Sequence, residues 1–314
     1  MAWGEQVSAL EQRVAEYLAI RRALGYKLAG HDTILRDLTT WLDERGAGVL
    51  TGDLALEWAQ SRPTSSPIRQ RQRLTMARLF AEYLSAVDPR TEVPAVDLLP
   101  ARYQRTTPYI YSDTEISALM AAARSLEPPL KAATYETLIG LLACTGLRYG
   151  EAAGLDRSDV RLVEESLLVG FAKNGRSRLV PLHATAVDAL ADYAKRRDRL
   201  CPCPSTPSFF VSVRGGRLAQ SSVQAVFATL RRAAGLAQRH HGRAPRLHDL
   251  RHRFVVHTML AWHRDGVDVE AQLPSLSTYL GHVDPKATYW YQEAVPELLA
   301  LAARRLEASP GGES

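Results

Sequence analysis

Cysteine is scarce in this sequence, with three among 314 residues. Cys144 lies in an apolar run and reads as a small buried core residue. Cys201 and Cys203 form a lone Cys-Pro-Cys, and no second cysteine pair follows to complete a zinc site. An odd count without a disulfide framework suits a reducing compartment. Long apolar runs are missing too. None approaches the ~20 residues of a membrane-spanning helix. Met1 to Leu10 has no basic flank leading into an apolar stretch, so no signal peptide is expected. These absences make a cytoplasmic protein the expectation. Nor is there a large excess of one charge. Lys and Arg number 39 against 34 Asp and Glu, a net +5, with an isoelectric point near 9.2. That suits a polyanion such as DNA without requiring one. The sequence holds no repeats and no low-complexity tracts.

What is present is enough chain for two cores, in the ordinary globular proportions of 46% hydrophobic and 23% charged residues. Residues 1–100 read as a helical domain. Leu10, Val14 and Leu18 recur every fourth position, and Gly25 closes that segment. Ile34, Leu38 and Trp41 form a second stripe, with Asp32 as its expected N-cap. A shorter helix is expected from Asp53 to Gln60 and a long one from Ile68 to Val87, with Leu79, Phe80, Tyr83 and Leu84 as its apolar face. The start of that long helix carries Arg69, Arg71 and Arg73. They read either as a solvated surface or as a basic face meeting DNA phosphates. Pro94, Pro100 and Pro108 break the helical pattern, and residues 101–111 are read as a linker containing Arg102 and Arg105.

The second domain is assigned to residues 112–314. Ser112 to Glu115 offers a capping box. Thr134 to Cys144 is strongly apolar and ends at Gly146. Ser166–Phe171 and Arg178–Leu182 are expected strands, joined through Lys173-Asn174-Gly175, where Asn-Gly signals a hairpin. Further helices are expected from Ser221, with Gln224 completing a capping box, from His248 to Trp262, and from Leu276 to Leu280. Asp284-Pro285 opens the helical segment that holds Tyr289 and Tyr291. After Val295-Pro296 a last amphipathic helix carries Leu298, Leu301 and Leu306.

Four segments of this domain carry chemistry. Thr145-Gly146-Leu147-Arg148 sets an arginine just past a helix end, with Glu151 three residues on. Lys173 stands at the hairpin tip. His248 and Arg251 lie three apart on one helical face. Leu280-Gly281-His282 precedes Tyr291 by nine residues, counted from His282. Two guanidiniums can clamp the non-bridging oxygens of a phosphodiester and stabilise the charge that builds there. A histidine can take the proton of a phenol that is mostly protonated at neutral pH. A lysine can protonate a departing sugar oxygen, and a tyrosine can hold a covalent intermediate. Each group also has a plainer reading. Arg148 could answer helix carbonyls, Lys173 could be a solvated charge, and either histidine could be a satisfied core residue. Arg251 could pair with Asp249 or Glu151. Tyr289 rivals Tyr291, and His252 is expected to point away from the site.

In order and spacing these segments resemble the tyrosine recombinase, or phage integrase, family. The resemblance covers the whole second domain and, more loosely, the helical first domain, which looks like the family's core-binding domain. It assigns Arg148, Lys173, His248, Arg251, His282 and Tyr291 as catalytic, Tyr291 as the nucleophile, and leaves Glu151 in a supporting role. The fold it implies is mostly α with a small antiparallel β-sheet, arranged as a two-domain clamp on duplex DNA. It further implies a homotetramer joining two DNA sites, no cofactor or metal, and a 3′-phosphotyrosine intermediate. No arm-binding segment is read before the helical domain, so a phage integrase of the two-site kind is not the expectation. A type IB topoisomerase, or a DNA-binding protein without activity, would use a similar residue set and remains open at this point.

Overall fold

The structure is a computed structural model that describes residues 9–26, 28, 30–62, 65–99, 108–170, 177–236, 244–282 and 288–291. The chain divides into two compact units, Met1–Arg105 and Thr106–Ser314.

The first unit contains four helices among its described residues: α1 (Ala9–Ala23), α2 (His31–Asp43), α3 (Gly52–Gln60) and α4 (Pro67–Ser85). Thr51 and Ser66 cap α3 and α4 through their hydroxyls. The cap of α2 differs from expectation. It is Gly30, in the left-handed region, with no side-chain hydrogen bond. Asp32 lies inside the first turn and pairs with Arg36 four residues on. The core gathers Leu10, Val14, Leu18, Leu35, Leu38, Leu42, Trp58, Leu74, Phe80 and Leu84. The buried faces of α2 and α4 are therefore rotated slightly from the expected ones. Ile34, Trp41 and Tyr83 flank the core, while Leu35, Leu42 and Leu74 fill it.

The second unit holds α5 (Asp113–Arg124), α6 (Pro129–Thr145), α7 (Tyr149–Gly154), β1 (Val160–Arg161), β2 (Ser166–Val169), β3 (Arg178–Pro181), α8 (Ala184–Leu200), α9 (Gln220–Ala233), α10 (Asp249–Arg264) and α11 (Val269–Leu280). Residues 288–291 are again helical. The three strands form an antiparallel meander, β1-β2-β3. Leu167 pairs with Val160 on one side and Val180 on the other. This is the mostly helical fold with a small antiparallel sheet that the sequence implies. The Ser112 capping box forms as expected, whereas the one expected at Ser221 does not, because the N-cap of α9 falls two residues earlier, at Ala219.

Residues 108–111, at the end of the expected linker, pack with this unit. Tyr111 is 2% exposed in its main core, and its hydroxyl donates to the Arg246 carbonyl. Helix α6, buried on nearly every face, runs through the middle of that core. Cys144 departs from its expected burial and is exposed on α6. A second cluster forms where α10 and α11 pack together with Tyr291. No described helix is long and apolar enough to cross a membrane. Lys173, Arg102, Arg105 and the expected last helix lie outside the described residues.

Candidate active site

Two helix ends build the site. Helix α6 stops at Gly146, whose φ of 63° is left-handed, and a Cβ there would stand 2.5 Å from Phe254 Cδ1. Only glycine meets both conditions. Helix α11 stops in the same way at Gly281, φ 66°, where the His282 amide donates to the Ser277 carbonyl (2.9 Å). A Cβ on Gly281 would lie 2.7 Å from Arg178 Nη1.

Arg251 joins these two ends. It is 2% exposed, and its two Nη groups donate to the carbonyls of Gly146 and Leu280, each at 2.9 Å. Burial, together with the nearby Arg148 charge, lowers its pKa to about 10, so it remains a cation at neutral pH. Arg148 emerges in extended conformation ahead of α7, and its Nη2 donates to the Gly281 carbonyl (3.2 Å).

Glu151 aims this arginine and a third one. Its carboxylate, 7% exposed, accepts from the Arg148 amide and Nη1, both at 2.9 Å, and from Arg178 Nη1 and Nη2 at 3.1 and 3.0 Å. Arg178 Nε also donates to the Tyr279 carbonyl (2.7 Å). Burial alone would raise the Glu151 pKa, but the Arg178 hydrogen bonds, the Arg148 amide and both positive charges outweigh it and hold it below the ordinary carboxylate value. Two guanidiniums thus share one carboxylate, with the Arg251 charge close by, leaving positive charge to receive a phosphate. Arg178 was not expected here. Strand alternation carried the signal, since it shares a face with buried Val180, and an arginine on a buried face needs an acidic partner.

Both expected histidines are held neutral. Burial, with the charges of Arg251 and Arg246, lowers His248 to about 4. Burial and the charges of Arg251 and Arg148 lower His282 to about 3. His282 Nδ1 is 2.7 Å from Thr288 Oγ1, which is in turn 2.7 Å from Ser277 Oγ. Tyr291 is 4% exposed, whereas Tyr289 turns outward at 42%. Contrary to expectation, His252 does not point away. Its Nδ1 lies 2.6 Å from the Tyr291 hydroxyl. His248 and His252 are four apart on α10 and so share a face, their rings meeting edge-on at 4.9 Å. The structure therefore brings together Arg148, His248, Arg251, His282 and Tyr291, sets Glu151 against Arg148, and adds Arg178 and His252. Lys173 falls among the residues not described. Among the described residues no group of three or more histidine, cysteine or acidic side chains could hold a metal ion.

Of the three arginines expected to meet DNA, Arg69 and Arg71 are exposed on α4. Arg73 is not available in that way. Its guanidinium lies over the Trp58 ring at 4.0 Å, donates to the Trp58 carbonyl (2.8 Å) and pairs with Asp37 (3.0 Å). It is a structural residue of the first unit.

The model of the phage integrase family matches residues 110–297. "Putative integrase/recombinase y4rB" of Sinorhizobium fredii (strain NBRC 101917 / NGR234) is 41% identical over 309 residues, covering 96% of this chain and 98% of the relative. The chain belongs to the phage integrase family of tyrosine recombinases. Enzymes of this family cleave and rejoin DNA at specific sites, and DNA is the partner of this recombinase. The fold of the recombinase is also that of solved members. The Tn1549 transposon integrase in complex with transposon right end DNA gives a TM-score of 0.64 at 15% identity, over 95% of this chain and 98% of that one. A lambda integrase tetramer bound to a Holliday junction gives 0.60 at 18% identity, over 88% and 78%. Among the readings open from the sequence, recombination is the one these likenesses favour over topoisomerase action or binding alone.

Proposed function

We propose that this recombinase cuts DNA with Tyr291, conserving the broken bond as a 3′-phosphotyrosine, and that four protomers join two sites and exchange strands between them in the cytoplasm. The observation that carries the reading is the placement of buried Tyr291 within electrostatic range of Arg251, itself tied to the helix ends that also hold Arg148. The guanidiniums of Arg148 and Arg251 stabilise the charge that grows on the non-bridging oxygens. His282 is a neutral donor. With Ser277 donating to Thr288 and Thr288 to His282 Nδ1, Nε2 carries the ring proton and can donate to a phosphate oxygen. His248 is the other neutral ring at the phosphate. Lys173 protonates the departing 5′ oxygen. Arg69 and Arg71 supply phosphate contacts from α4. The tetramer is supported by the lambda integrase neighbour on a Holliday junction. The expected last helix, with Leu298, Leu301 and Leu306, would be donated between protomers.

The test is Tyr291→Phe on a nicked suicide duplex. The variant should bind DNA as the natural protein does and form no covalent adduct, since only the nucleophilic oxygen is lost. Adduct formation by Tyr291→Phe together with its loss in Tyr289→Phe would assign the nucleophile to the neighbouring tyrosine. The same variant, able to bind but not to cut, should sediment on paired sites as four protomers.

A further inference from the structure

His252 was assigned no role by its motif, yet it touches the reacting atom. Its Nδ1 and the Tyr291 oxygen are 2.6 Å apart, a short hydrogen bond. Both side chains are shielded from water. The ring is packed between the edge of His248, at 4.9 Å between centroids, and the rings of Trp290 and Tyr291, at 6.2 and 5.5 Å. On the far side of the imidazole, Nε2 faces Asp249 Oδ1 at 3.8 Å. Asp249 is wholly buried and is fixed there by the Arg246 amide (2.7 Å) and Arg246 Nη2 (3.3 Å).

We propose that His252 accepts the proton of the Tyr291 phenol and that Asp249 holds its ring in the accepting tautomer. The inference rests on Tyr291 being the nucleophile. The physical case is one of charge and direction. A carboxylate facing Nε2 favours the proton on that nitrogen and leaves the Nδ1 lone pair pointing at the phenol. At 3.8 Å the carboxylate is outside hydrogen-bond range, but it attracts the ring more strongly once a second proton has arrived. The pairing therefore stabilises the product of proton transfer over its starting state. Such an acceptor is needed because a phenol with a pKa near 10 is protonated at neutral pH.

The step balances as follows. The phenol proton moves to Nδ1, and the oxygen electron pair it leaves forms the bond to phosphorus. The phosphorus–O5′ bond breaks with its pair on the 5′ oxygen, which takes a proton from Lys173. Rejoining runs the same transfers in reverse, and His252 returns its proton to the phenol.

The experiment measures single-turnover adduct formation by the full chain on a nicked suicide duplex. His252→Ala should be slower by about 10²–10⁴-fold. His252→Asn keeps an acceptor near the place of Nδ1 but cannot be protonated, so it should stay within about tenfold of the alanine variant. Incorporating a fluorinated tyrosine of lower pKa at position 291 should close most of the gap between His252→Ala and the natural protein, because the phenol then gives up its proton unaided. If His252→Asn cleaves at the natural rate, the ring only parks the tyrosine and the proposal falls. It falls equally if the deficit of His252→Ala is unchanged with the fluorinated residue. Should the alanine variant fail to bind DNA, the asparagine variant carries both comparisons. Tyr291→Phe separates the two levels. An adduct from that variant sinks the nucleophile assignment, whereas an inactive Tyr291→Phe beside a fast His252→Ala sinks only the role given to His252.

Discussion

Two imidazoles in this site are kept from becoming cations, and that has a cost at low pH. His248 and His282 are lowered to about 4 and about 3 by burial and by the guanidiniums around them. In the unfolded chain both rings return to the ordinary value near 6.5 and bind protons more readily than in the fold. The folded state keeps its full advantage above pH 6.5. It loses that advantage as the pH falls toward 4 for His248 and toward 3 for His282, because the unfolded state gains protons that the native state refuses. Glu151 adds to the loss lower down, since its depressed pKa stabilises the fold only while the carboxylate is ionised. Denaturant midpoints should therefore be level from about pH 7 to 8 and decline below 6.5. His248→Gln should remove a share of that decline on the order of 3 kcal/mol. An unchanged pH slope in His248→Gln would mean that this ring is not held neutral.

At the scale of the helix, the most exacting position is the end of α11. Gly281→Ala places a methyl group in the left-handed region and 2.7 Å from the Arg178 guanidinium, which is itself tied to Tyr279 and Glu151. We expect a loss of about 1–2 kcal/mol in stability and a slower cleavage step, as Arg178 is pushed off Glu151 and Glu151 off Arg148. By contrast, Gly150→Ala within α7 meets open space and should leave stability level or raise it by up to about 1 kcal/mol. Thermal unfolding and single-turnover cleavage of the two variants decide the matter. Elements with strong punctuation were legible in the sequence. Gly146 ends α6 and Ser112 caps α5, as read. Elements were missed where packing overrides local preference. Helix α8 buries only Leu190, Tyr193 and Arg197, so its core stripe is partly charged and gives no apolar period. Helix α11 starts at Val269 rather than Leu276 because Pro274, a breaker by propensity, lies inside it, with buried Leu273 and Leu276 holding the helix together on either side. The site was legible wherever spacing along one element decided it. Arg178 and His252 were not read as site residues, because what they touch, Glu151 and Tyr291, lies 27 and 39 residues away in sequence.

At the scale of the whole molecule, the arginines of one cluster divide between Arg73, which holds the fold, and the exposed Arg69 and Arg71, which we propose meet DNA. Arg73 is spent on Trp58 and Asp37, so Arg73→Ala should lower the unfolding free energy by about 2–4 kcal/mol. Arg69→Ala and Arg71→Ala should leave stability alone. Each should weaken DNA binding alike on every sequence and reduce the salt slope of log K by roughly one. Equal destabilisation by all three, with no change in salt slope, would return the cluster to a structural role. The ties of the catalytic site reach much farther along the chain. Arg251 to Gly146 spans 105 residues, Arg178 to Tyr279 spans 101 and Arg148 to Gly281 spans 133. Closing such loops costs entropy that is recovered only when both ends exist. On the ribosome, Arg148 and Arg178 therefore emerge with Glu151 but without the carbonyls that fix them, and they wait until residues 279–281 have been made. Tyr291 follows later still. On the proposed assignment of Tyr291, a half-synthesised chain has neither the nucleophile nor the ties that set the arginines, so the order of the residues delays cleavage until position 291 has been made.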